Sequence, residues 1–127
     1  MIECVVDSSV VLAFLFREPG WEIAASVLDG SHISSVNHSE VVAKLMERGA
    51  SKAEARDRTA GIGYTIHAAD AELALEAGSL RPYTRRLGFS LADRFCIALG
   101  RQSGLPVYTA DRVWAEPDLG ADIRLIR

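Results

Sequence analysis

Short apolar runs recur along the chain, most of them followed by a longer stretch whose apolar positions repeat every three or four residues. Residues 2–6 read as a short buried strand and 8–16 as a helix that Pro19 and Gly20 terminate. Residues 21–28 keep helical spacing up to Asp29-Gly30, after which 32–36 form a second strand rich in β-formers. Asn37 starts a helix that runs to about Arg48, with Gly49 as its stop. A polar helix over 51–59 leads through Gly61 and Gly63 to a third strand, 64–67, and a helix over 70–77. Ser90 begins the clearest late helix, with Leu91, Phe95, Ala98 and Leu99 on one face and Gly104 at its end. Residues 106–109 make a fourth strand, 111–114 a single helical turn, and 123–126 a final short strand.

Strands that alternate with helices must pair in parallel, because a crossover long enough to hold a helix returns the chain in its original direction. The fold class is therefore α/β, and with no repeat, linker or low-complexity segment, residues 1–127 form one domain with helices on both faces of one sheet. A length of 127 residues with 49% hydrophobic and 24% charged positions agrees with one globular domain. The apolar run VVLAFLF is closed by Arg17, Glu18 and Pro19, well short of the roughly 20 residues of a membrane span. The opening MIECVVD has acids where an export signal needs basic residues, and Cys4 and Cys96 lie in apolar runs without CxxC spacing. These features predict a cytoplasmic protein with buried, reduced thiols.

The net charge of −3 excludes a global basic field of the kind that drives non-specific nucleic-acid binding. The charge is nevertheless uneven: from Arg81 to Arg112 there are six arginines (81, 85, 86, 94, 101 and 112), no lysine, and two acids, Asp93 and Asp111. Guanidinium forks bind phosphate in bidentate fashion, so Arg85, Arg86, Arg94 and Arg112 are candidates for contacts to an RNA backbone. The bland alternative is a set of scattered, solvated arginines.

Ligands of open parallel sheets bind beyond the carboxyl ends of the strands. Asp7 ends the first strand, Glu40 lies in the first turn after the second, Asp93 opens the late helix, and Asp111 follows the fourth strand. Each alone can be a helix cap: Asn37-x-x-Glu40 and Ser90-x-x-Asp93 both have capping-box spacing, and helix N-termini favour acids. Together at one edge they would raise each other's pKa unless cations sat among them, and an all-oxygen donor set suits Mg2+ or Mn2+ rather than zinc. His32, His38 and His67 are not needed for such chemistry, and His38, just inside the predicted helix, is expected to face solvent.

The segments VVDSSVVLAF, SVNHSEVVAKL, LGFSLADRFCIALG and LPVYTADRVW, in this order and spacing, resemble the PIN-domain ribonucleases, and among them the VapC-type toxins of prokaryotic toxin–antitoxin systems. The resemblance spans nearly the whole chain. It implies a PIN-like parallel sheet of about five strands and a metal-dependent endoribonuclease in which Asp7, Glu40, Asp93 and Asp111 are the acidic quartet. Ser9 and Thr109 match the hydroxyl residues that support the site. It further implies a homodimer, an RNA substrate, and neutralisation by a VapB-type antitoxin that often places an Arg near the carboxylates. The competing readings are a catalytically silent PIN-like domain that binds RNA or protein, and a response-regulator receiver. A receiver needs a lysine near the end of a late strand, and this chain has only Lys44 and Lys52. A phosphatase with Asp-x-Asp is opposed by Asp7-Ser8-Ser9, and a dinucleotide site by Gly61-Ile62-Gly63, which lacks a third glycine.

Overall fold

Val5 and Val6, the whole of strand β1, are both fully buried and belong to different apolar clusters, one on each side of the sheet. Alternate residues of a strand face opposite ways, so a central strand covered by helices on both faces must be apolar throughout. The computed structural model describes residues 3–127, so Ile2, the first residue of the predicted strand, lies outside the described residues.

The strands β1 (Val5–Val6), β2 (His32–Ser34), β3 (Thr65–His67), β4 (Val107–Thr109) and β5 (Ile123–Leu125) form one parallel sheet in the order β3-β2-β1-β4-β5. This is the α/β architecture expected, and it differs from the 2-1-3-4-5 order of receiver domains. Helices α1 (Ser8–Phe16), α2 (Trp21–Leu28), α3 (Ser35–Glu47) and α4 (Lys52–Ala60) contribute to the cluster built on Val6 and Ile33. Helices α5 (Ala71–Ser79) and α7 (Leu91–Ser103) pack with Val5 and Val107 on the other side. Gly100 lets α7 approach β4 closely, since a methyl group there would collide with Val107 Cγ2. Among the described residues no helix is long and apolar enough to cross a membrane.

The chain runs outward from β1 to β2 and β3, then returns to place β4 on the other side of β1. The carboxyl ends of β1 and β4 therefore flank the point where the winding reverses, the usual position of a ligand crevice.

Two predicted boundaries are corrected. Strand β2 stops at Ser34 and α3 begins at Ser35, so Val36 is helical and Asn37 is not the cap. Ser34 is the cap: its extended backbone precedes the helix and its hydroxyl accepts from the Asn37 N–H at 3.1 Å. The segment 81–87, unassigned from the sequence, forms a short helix α6 (Arg81–Thr84), with Pro82 in its first turn, and a 3-10 turn over Arg85–Leu87.

Candidate active site

Asp7 follows β1 and occupies the N-cap position of α1, yet its side chain caps nothing. It is 4% exposed and turned inward to neutral donors. The Ser9 hydroxyl donates to Oδ2 at 2.7 Å and the Thr109 hydroxyl to the same oxygen at 3.1 Å, while Asn37 Nδ2 donates to Oδ1 at 3.3 Å. Each hydroxyl has one proton to give, and both in turn accept from backbone: Ala110 N–H to Ser9 at 2.9 Å, Asp111 N–H to Thr109 at 3.1 Å. Two relays thus run from the end of β4 to the Asp7 carboxylate and fix Asp111's backbone to the same centre.

Glu40 lies on α3, where it caps nothing either. Its Oε1 accepts from the Ser8 hydroxyl at 2.7 Å, and that hydroxyl oxygen stands 3.5 Å from Asp7 Oδ1. The capping box expected between Asn37 and Glu40 does not form, because Ser34 holds the cap position and Asn37 is drawn into the core.

Asp93 and Asp111 do cap. Ser90 and Asp93 form a reciprocal capping box at the start of α7, the Ser90 N–H donating to Asp93 Oδ2 at 2.9 Å. Asp111 Oδ1 accepts from the Val113 N–H at 3.0 Å and starts a 3-10 turn over Arg112–Ala115. One oxygen of each is engaged, and the other has no hydrogen-bond partner among the described residues.

The four acids act on one another. Burial pushes the Asp7 carboxyl up to about 6, with the charges of Asp93 and Glu40 adding to the rise against the Ser9 and Thr109 hydrogen bonds. Asp93 is half-buried and also raised, first by burial, with Asp111 contributing. Asp7 is thus buried, Asp93 half-buried, and Glu40 and Asp111 exposed, with charge coupling that links Asp7 to Asp93 and Glu40, and Asp93 to Asp111. Among the described residues no salt bridge reaches any of the four.

This donor set fits a divalent cation. A buried carboxylate with two like charges near it and only neutral donors around it lacks the positive charge that would stabilise its ionised form. The available atoms are carboxylate oxygens, the donors Mg2+ and Mn2+ prefer. Among the described residues no group of three or more His, Cys, Asp or Glu side chains stands close enough together to hold a metal ion. That suits an ion held by one or two carboxylates which keeps several waters.

Arg85, Arg86 and Arg112 are exposed, the first two in the turn before Ser90 and the last beside Asp111. Arg94 differs: it is half-buried, one guanidinium nitrogen donates to the Ala77 carbonyl at 3.2 Å, and its Nε is enclosed without a partner among the described residues. His38 does not face solvent. It is half-buried on α3, with Nδ1 2.7 Å from the Tyr64 hydroxyl, and burial lowers its pKa. Cys4 and Cys96 are free, buried thiols. Sequence reasoning missed Asn37 and Ser8 as site residues. The placement of Ser8 directly after Asp7, at the start of a helix, was the available signal; Asn37 gave none apart from its apparent capping role.

The family model for the PIN domain matches residues 4–119. Among curated proteins, none matches the chain. Several solved structures share the fold. A toxin–antitoxin complex from Klebsiella pneumoniae is 17% identical with a TM-score of 0.76, covering 98% of both chains. DNA-bound VapBC from Salmonella typhimurium is 18% identical with a TM-score of 0.73, covering 100% of both. VapC20 from Mycobacterium tuberculosis, described as a sarcin-ricin loop cleaving toxin, is 18% identical with a TM-score of 0.72, covering 96% of this chain and 99% of that one. Matched in sequence over nearly its whole length and in fold from end to end, the chain belongs to the PIN domain family.

Proposed function

We propose that this chain is a metal-dependent endoribonuclease of the VapC toxin type, hydrolysing RNA phosphodiester bonds at Asp7, Glu40, Asp93 and Asp111. The observation that carries the reading is the Asp7 carboxylate: buried, capping nothing, in no salt bridge among the described residues, and raised in pKa first by burial and further by Asp93 and Glu40. A structural cap has no use for such an arrangement, whereas a cation site has. The quartet would hold Mg2+ or Mn2+, which when bound supplies charge against the scissile phosphate and makes water acidic enough to attack near neutral pH. Ser9 and Thr109 orient Asp7, and Arg85, Arg86 and Arg112 meet the RNA backbone, with Arg94 the weakest of the arginine candidates because its guanidinium is already tied to α5.

The fold shared with toxin–antitoxin complexes supports a VapB-type antitoxin as partner; a homodimer in the cytoplasm is part of the same proposal. An antitoxin Arg would supply positive charge beside these acids. Incubating the purified protein with total RNA, with Mg2+ or Mn2+ and with chelator, beside an Asp7→Asn control, tests the reading. Metal-dependent cleavage lost in the control is expected; cleavage that survives in Asp7→Asn, or no cleavage with either metal, contradicts it.

A further inference from the structure

The one fully buried side-chain amide at the site joins three elements. Asn37, on α3, is 0% exposed, and its Nδ2 donates both to Asp7 Oδ1 at 3.3 Å and to the Ala92 carbonyl at 3.1 Å. Its Oδ1 accepts from the Ser34 hydroxyl at the end of β2. An amide has two donor hydrogens and one acceptor oxygen, and here all are used. Ala92 immediately precedes Asp93, and Glu40 lies three residues beyond Asn37 on the same helix. One side chain therefore touches Asp7, the backbone beside Asp93, and the helix that carries Glu40, across sequence separations of 30 and 55 residues.

We propose that Asn37 is a positioning residue: its amide sets the separation between Asp7 and the N-terminus of α7, so that Asp7 and Asp93 can serve one divalent cation. This rests on the proposed function, since it assigns a role toward the cation assumed there. The alternative is a buried amide that only holds the core together, as Ser34 capping α3 does. The two differ in what its removal changes. A core role alters stability; a positioning role alters how well the acids receive a cation, in the range of 10- to 100-fold that outer partners of metal ligands typically contribute.

The test is a calorimetric titration of the full chain with Mn2+, for wild type, Asn37→Ala and Val41→Ala, the last opening the core one turn further along the same helix face. Asn37→Ala is expected to bind Mn2+ about 10- to 100-fold more weakly, and Val41→Ala as tightly as wild type although it melts earlier. Equal affinity in wild type and Asn37→Ala, or an equal loss in Val41→Ala, overturns the assignment. If Asn37→Ala does not fold, Asn37→Ser, too short to reach Asp7 and Ala92 together, is read the same way. A second readout needs no variant at position 37: the side-chain amide signals of Asn37 in wild type should shift when Mg2+ is added, and unmoved signals at saturation contradict the proposal. If wild type binds no Mn2+ at all, the proposed function falls and this inference with it; binding without dependence on Asn37 removes this inference alone.

Discussion

The N-termini of α1 and α7 carry an acid in nearly the same setting and use it differently. At α7, Asp93 is held by its neighbour Ser90 in a reciprocal box. At α1, Asp7 holds no local backbone donor; beside the nearby Ser9 hydroxyl, its partners Asn37 and Thr109 come from 30 and 102 residues away. A carboxylate tied locally contributes to its helix wherever that helix goes. One tied partly by long-range donors takes up its position only when the sheet has assembled, and its desolvation raises its pKa. On the proposed function, Asp7 would be the central acid, and Asp93 would serve both as cap and as second acid.

The largest expected effect breaks this comparison at Asp7. Asp7→Asn should lower metal-dependent RNA cleavage by more than about 100-fold, beyond what outer partners of a metal typically contribute, while circular dichroism shows an unchanged fold. The same variant should be more stable than wild type in metal-free buffer. Between its ordinary value of 3.8 and about 6, the native chain keeps a proton on Asp7 that the unfolded chain has released. Folding thus takes up a proton, so stability from this group is greatest below pH 3.8, falls as pH rises to about 6, and stays low above that. The loss at neutral pH is on the order of 3 kcal/mol, and Asp7→Asn should remove most of that slope in a series of urea melts from pH 4 to pH 7.

Thr109→Val sharpens the comparison from the donor side. It leaves the Asp111 N–H without its acceptor and takes one hydrogen bond from Asp7, so a loss of about 1–3 kcal/mol is expected. The Asp7 carboxyl should then titrate higher still, which carbon-detected NMR of the carboxyl reads directly. At the other helix, Ser90→Ala removes only a local cap. Denaturant melts should show a loss of about 1 kcal/mol, with no change in the titration of Asp7.

The contrast also explains what could be read from sequence. Strand and helix positions follow from apolar periodicity, and Gly104, at φ 69° after α7, ends its helix as expected. The Ser90–Asp93 box was visible because both partners sit within four residues. The start of α3 was not: Ser34, Ser35 and Asn37 are all cap formers, and local pattern cannot choose among them. Burial chooses, because the Asn37 amide finds Asp7 and Ala92 in the assembled fold and leaves Ser34 as the cap. Arg94 follows the same logic. Its position beside Asp93 marks it for a phosphate, but its contact to Ala77 depends on α5 packing against α7, which no local signal encodes. Asp7 and Asp111 follow the strands that flank the winding reversal, whereas Glu40 and Asp93 lie on helices, and no local signal separates these acids from ordinary caps.

The most direct test is thermal melting at pH 7 with increasing Mn2+, for wild type and Asp7→Asn. If the acids form one depression that requires a cation, wild type gains stability with metal, about 2.7 kcal/mol at a hundredfold excess over its dissociation constant, while Asp7→Asn starts higher and stays flat. A wild-type melting temperature indifferent to Mn2+, or an equal rise in both proteins, contradicts the account.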